Sequence, residues 1–208
     1  MTTNEETKKK LKPLKITCKS ADCERGLHCF SQTKKMRIAN QAGQCRYCGA
    51  KLIDVSRLSK RDLADVNYTF KALKYELWRH YYWHIEIDQK AINHARRKGK
   101  VGMRAAAEKR IRNSVGVANP YRDGIQTPKK GNAIYYAQHA TASCCRKCIE
   151  EWHGIPIGQA LTSDQIKYFI ELAMLYIEER LPFLTENGEY LPPIRKKAQN
   201  NRSTAAKS

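Results

Sequence analysis

The sequence predicts an α+β protein, mainly helical, in which a small N-terminal Cys-rich, zinc-ribbon-like module packs on a helical domain with a second Cys/His cluster. Three observations carry this. The cysteines fall in two distant groups, Cys18, Cys23, Cys29, Cys45 and Cys48, then Cys144, Cys145 and Cys148. Apolar residues recur at helical spacing in the middle and at the end of the chain. Turn-forming residues crowd the first cysteine group and residues 114–132.

The elements follow in order. Residues 1–13 read as a disordered basic tail and 14–55 as the zinc-binding module, with short extended stretches at LKIT and GLHCF. Residues 56–193 form the mainly helical domain, with an unusual segment at 124–156, and 194–208 a second disordered tail. Ser59 starts a long helix whose buried face is Leu63, Val66, Phe70, Leu73 and Leu77, continued in register by His80 and His84. Asp88 caps a separate helix to Arg97, ended by Lys98–Gly99, and another helix spans Arg104–Arg112. The run AIYYA at 133–137 reads as a strand and Cys145–Trp152 as a short helix. Thr162 and Gln165 make a capping box for the last helix, which Leu181–Pro182 terminates.

Composition narrows the partners. The formal charge of the 208 residues is +19. Residues 1–60 hold 14 Lys/Arg against 5 Asp/Glu, and residues 151–208 balance at 7 against 7. The excess therefore lies in the first 150 residues, a distribution that attracts polyanions and makes nucleic acid the expected partner. DNA and RNA are not distinguished at this point. There is no apolar run of about 18 residues, and the N-terminus lacks a secretory signal, so a cytoplasmic location is expected. A reducing cytosol turns the cysteine groups toward metal rather than disulfides.

In the first group, Cys18-x4-Cys23 and Cys45-x2-Cys48 supply two thiolate pairs, and Gly49 suits the tight turn after the second. Cys18, Cys23, Cys45 and Cys48 are the leading zinc ligands. Cys23, Cys29, Cys45 and Cys48 compete with them, and His28 is a further substitute. Arg46 and Lys51 beside this site are candidate nucleic-acid contacts, as are Arg104, Lys129, Lys130 and Arg146.

In the second group, the spacing His139-x5-Cys145-x2-Cys148-x4-His153 offers four ligands for a second zinc. Cys144 is expected to face away as a core thiol. Arg146, at a helix start beside the thiolates, suits a solvent-facing phosphate contact. The stretch DGIQTPKKGNAIYYAQHATASCCRKCIEEWHGIPIGQALT resembles an uncharacterised bacterial family of unknown function with a QTPxxG…AQHATAxCCRxCxxxWHGIP signature. The resemblance covers roughly half the chain. It implies that Gln126, Thr127, Pro128, Gly131, Gln138, His139, Thr141, Cys144, Cys145, Arg146, Cys148, Trp152 and His153 occupy motif positions. It brings no reaction with it.

On the long helix, the HxxxH pair His80 and His84 lacks the glutamate of a metalloprotease motif, so both read as hydrogen-bonded core histidines. Trp78, Tyr81, Tyr82 and Trp83 read mostly as core, and aromatics amid Lys/Arg also suit stacking on unpaired bases. The leading function is a zinc-stabilised basic nucleic-acid-binding protein, in one version a subunit of a larger nucleic-acid-processing or defence assembly. The alternatives are a metal-dependent nuclease or nucleic-acid-modifying enzyme using His139, Cys145, Cys148 and His153, with His139, Arg146 and His153 as catalytic candidates, and a protein-interaction scaffold. The absence of a paired acidic cluster or an HNH-type pattern near the cysteines weighs against the enzyme.

Overall fold

In the computed structural model, residues 16–54, 56–57 and 63–192 are described. The expected tails and the expected helix start at Ser59 lie largely or wholly outside them. Among the described residues there are seven α-helices and only isolated β-bridges. The helices are α1 (Lys34–Ile38), α2 (Val66–Leu73), α3 (Leu77–His84), α4 (Gln89–Asn113), α5 (Ala133–Ala140), α6 (Arg146–His153) and α7 (Ser163–Arg180). No helix among them is long and apolar enough to cross a membrane.

The N-terminal module has almost no regular structure, and its form comes from two turns. An antiparallel bridge between Asp22 and Leu27 closes the first turn, which holds Cys23 and ends on Gly26 at φ 70°. A bridge between Gln44 and Lys51 closes the second, which holds Cys45 and Cys48 and passes through Gly49 at φ 72°. Only glycine takes such a φ at no steric cost. The extended stretch GLHCF thus contributes bridges rather than a sheet.

The long helix expected from residue 59 is broken. α2 ends at Leu73, Glu76 turns to extended geometry, and α3 begins at Leu77. The break is a docking seam. The His28 N–H donates to Tyr75 C=O at 2.7 Å, and the Leu77 N–H donates to His28 C=O at 2.9 Å. The main-chain groups freed by the break are therefore satisfied by the N-terminal module. After the break the buried side of α3 is Arg79, Tyr82 and Trp83. His80 is half-buried and His84 exposed, so the expectation of core histidines is corrected. His84 Nδ1 instead lies 2.7 Å from His80 C=O, with the two rings 3.9 Å apart.

In α4, Asp88 accepts the Ala91 N–H at 3.0 Å as the sequence predicts. The two helices expected on either side of Gly99 follow one another directly through a kink, Gly99 having φ 63° and ψ −178°. A Cβ at Gly99 would lie 2.4 Å from the Asn187 carbonyl carbon. Residues 185–189 come that close because they complete the kink's hydrogen bonds: Lys100 N–H donates to Thr185 C=O at 2.9 Å, and Glu189 N–H to Arg96 C=O at 3.0 Å.

The segment AIYYA is helical in α5, not a strand. A short apolar run does not fix its own period. Here the Asn132 side chain accepts the Ile134 N–H at 3.0 Å and so starts a helix. Ala133, Ile134, Tyr136, Ala137 and Ala140 are then all buried. α7, with both bonds of the Thr162/Gln165 capping box present, runs through the centre of the main core, against α4, α5 and α2. A smaller core joins the module to the helices, where Phe30 meets Trp152 with ring centroids 4.4 Å apart beside Leu73, Cys144 and Cys148.

Candidate metal centres

The two turns of the N-terminal module bring Cys23, His28, Cys45 and Cys48 together, with one ligand atom from each lying within 4.8 Å of the others. Cys23 Sγ is 3.6 Å from Cys45 Sγ, and Cys48 Sγ is 3.4 Å from His28 Nδ1. Tetrahedral bonds near 2.3 Å put neighbouring donors roughly 3.8 Å apart, so the set fits an ion of zinc's size and preference. Burial raises the Cys45 thiol, but backbone hydrogen bonds from Cys29, Cys48 and Tyr47, with one from the His28 side chain, outweigh it and hold the group at about 6. One of them, the Tyr47 N–H, points at the sulfur from 3.5 Å. Such donors favour the thiolate that a metal needs.

This ligand set corrects the leading expectation at one position. Cys18 is outside the group and His28 takes its place, giving the spacing Cys23-x4-His28…Cys45-x2-Cys48. Cys29 is also outside. It is fully buried, and its thiol donates to Cys18 C=O at 3.5 Å. Alternation explains the choice: leaving the first turn along an extended stretch, adjacent residues point to opposite sides, so His28 turns to the metal side and Cys29 to the core.

The second cluster is assembled differently. Cys144, Cys145 and Cys148 form a buried group with their sulfurs within 4.8 Å of one another, and this set also can hold a metal ion. Cys144 is a member, not a thiol facing away; its Sγ is 3.6 Å from Cys148 Sγ. Neither His139 nor His153 joins the group. His139 Nε2 is 3.2 Å from Thr127 C=O, and His153 Nε2 is 3.1 Å from Thr141 C=O. Both imidazoles are thus directed to main-chain carbonyls rather than to sulfur.

The charge at this cluster comes from two residues that spacing did not single out. The Arg79 guanidinium donates to Cys148 Sγ at 3.3 Å, to Cys144 Sγ at 3.8 Å and to His139 C=O at 2.7 Å. It also pairs with Glu76 at 3.0 Å, both side chains being almost fully buried. Glu76 receives a further bond from the Trp152 indole N–H. Hydrogen bonds from Cys144 and Cys145, together with Arg79, keep the Cys148 thiol well below its ordinary range against the effect of burial. The sequence does contain a signal: Glu76 and Arg79 are opposite charges three positions apart, within pairing reach at a helix start.

Arg146 is also corrected. It has 0% exposure and donates to Val115 C=O at 3.0 Å and to Pro156 and Gln159 C=O at 2.7 Å. Instead of contacting phosphate it ties the loop after α4 to the loop after α6. At the start of α6, Asp123 accepts the Arg146 N–H at 3.1 Å. Of the other candidate contacts, Lys51, Lys129 and Lys130 are exposed, Arg46 is half-buried, and Arg104 is ion-paired with Glu171.

The paired geometry around Arg79, Cys144, Cys148 and Trp152 lies within residues 67–178, which match the model of a family described as a domain of unknown function, DUF4186. The chain belongs to that family. The N-terminal candidate metal centre lies outside the matched DUF4186 region, and the buried cysteine cluster lies inside it. No solved structure matches the fold.

Proposed function

We propose that this DUF4186 protein is a zinc-stabilised basic protein that binds nucleic acid through its surface charge. Zinc is the metal assigned to Cys23, His28, Cys45 and Cys48, because three thiolates and one imidazole in tetrahedral reach are a structural zinc set. All four positions are protein donors, so this centre is a staple. The second cluster offers three thiolates beside a compensating guanidinium, a set that zinc also fits.

The observation that carries nucleic-acid binding is the uneven charge. Most carboxylates among the described residues are spent on ion pairs within the chain. Lys34, Lys35, Lys51, Lys129, Lys130 and Lys147 remain exposed, with no ion-pair partner among the described residues. A surface whose negative charge is internally neutralised while lysines stay free gains by releasing counterions from a phosphate backbone. The nuclease reading has less support, since its candidate histidines bond main-chain carbonyls and its cysteines are buried.

Titration of a labelled oligonucleotide at increasing salt tests the proposal. Affinity should fall by tenfold or more between about 50 and 200 mM salt. No binding at the lower concentration, or binding indifferent to salt, removes it.

A further inference from the structure

A cavity of about 790 Å³ opens beside α3, and none of the clustered cysteines lines it. Its walls include Trp78, Tyr81 and Tyr82 of α3 and Tyr136 of α5, with Lys129 and Lys130 at the edge. We propose that this cavity seats an unpaired base of a single strand, with the two lysines taking its phosphates. The proposal rests on the nucleic-acid reading above and names the site on the protein that would discriminate strand form.

The wall chemistry selects this ligand. The rings of Trp78 and Tyr81 lie within 15° of parallel, with centroids 6.0 Å apart, and Tyr81 is 37% exposed. Flat, partly exposed rings of like orientation suit the π-face of any base. A bare anion would need only lysines, and an apolar ligand would gain nothing from them. The volume falls within the range of small-molecule sites. Of the two lining carboxylates, Asp88 is already committed, accepting the Gly131 N–H at 2.6 Å, the Tyr136 hydroxyl at 2.9 Å and the Ala91 N–H. Glu86 is exposed and leaves the rim an acceptor for a base N–H.

The second observation is how firmly the rim is built. Lys129 and Lys130 sit in the QTPKKG loop, and that loop is anchored on both sides of them. His139 Nε2 and Arg110 bond the Thr127 and Gln126 carbonyls, Thr127 Oγ1 donates to Gln138 Oε1 at 3.3 Å, and Asp88 holds Gly131. The signature residues Gln126, Thr127, Gly131, Gln138 and His139 thus share one task, which is to hold two lysines, without an ion-pair partner among the described residues, at the mouth of an aromatic cavity. On the inner side, the His139 ring stacks on Tyr82 at 4.5 Å and 15°, fixing that wall. Preorganisation of this kind lowers the ordering cost of a ligand.

The test compares a labelled dT20 strand with a 20-base-pair duplex at one salt concentration, for the wild type, Tyr81→Ala and Tyr81→Phe. Charge density alone favours the duplex, so preference for dT20 isolates stacking. The wild type should prefer dT20. Tyr81→Ala should weaken dT20 binding about tenfold, the scale of one stacked base, and leave the duplex unchanged. Tyr81→Phe, which keeps the ring, should keep the preference, and circular dichroism verifies that both variants are folded. Equal binding of strand and duplex, with Tyr81→Ala unaltered, overturns the inference while leaving nucleic-acid binding in place. Failure of the wild type to bind either oligonucleotide overturns both.

Discussion

The two cysteine clusters differ in what holds them. The N-terminal centre sits on two glycine turns, and Cys48 is exposed. Its four donors are carried by two short bridged turns rather than by packed helices. The cluster at Cys144, Cys145 and Cys148 is built into a core by Phe30, Leu73 and Trp152, and its charge is met by Arg79. In the first, the proposed metal would supply much of the folding energy. In the second, packing supplies the arrangement and any metal is an addition to it.

The sharpest break between the two is metal removal. Cys45→Ser with Cys48→Ser should abolish zinc at the N-terminal centre, read by elemental analysis. It should also remove a folding contribution of about 10 kcal/mol or more, the scale of structural zinc in small modules. The module should become protease-sensitive while helical circular dichroism persists. Retention of full zinc by the double variant would show that the four donors are not a site. Coincident loss of the helices would mean that the seam of His28 with Tyr75 and Leu77 makes one cooperative unit.

The counterpart in the second region is Arg79→Met. It keeps most of the side chain's bulk but strips a buried carboxylate and the cysteine cluster of their counter-charge. Breaking a buried pair by deleting one partner costs about 3–5 kcal/mol. Chemical denaturation followed by circular dichroism measures it, and zinc at the N-terminal centre should stay at wild-type level. A cost under about 1 kcal/mol would mean that Glu76 takes up a proton and so relieves the loss; burial already pushes its carboxyl up to about 7.

Comparing the clusters also explains what the sequence makes legible. CxxC spacing is local, so Cys45 and Cys48 are readable as ligands, and so are the caps at Asp88 and Thr162, because each depends on residues a few positions apart. The choice between Cys18 and His28 depends on how the chain leaves the first turn, and no short-range pattern carries that. The break at Lys74–Glu76 was illegible for a similar reason. The apolar stripe runs through it, and the groups that satisfy the opened backbone come from His28, nearly fifty residues away. Arg146 misled because a basic residue at a helix start resembles an anion site, whereas carbonyls from Val115, Pro156 and Gln159 had already claimed its donors.

The smallest effect separates a histidine held for packing from one held for metal. His139 lies 3.2 Å from Thr127 C=O through Nε2, so that nitrogen carries the proton and donates. Its Nδ1 is buried with no hydrogen-bond partner among the described residues. Burial, and after it the Arg79 guanidinium, push the imidazole down to about 4 from 6.5. A depressed folded-state value means that the neutral ring stabilises the fold above about 6.5, and that this stability is lost as pH falls toward 4. A shift of that size corresponds to at most about 3 kcal/mol across the window. His139→Gln keeps a donor for Thr127 but cannot titrate. Denaturation midpoints at pH 6.5 and pH 4 should therefore fall less for the variant than for the wild type. Zinc released from the N-terminal centre by acid affects both proteins alike and cancels in the comparison. Parallel losses in the two proteins would mean that the ring is protonated in the fold without penalty, and that Nδ1 has found an acceptor.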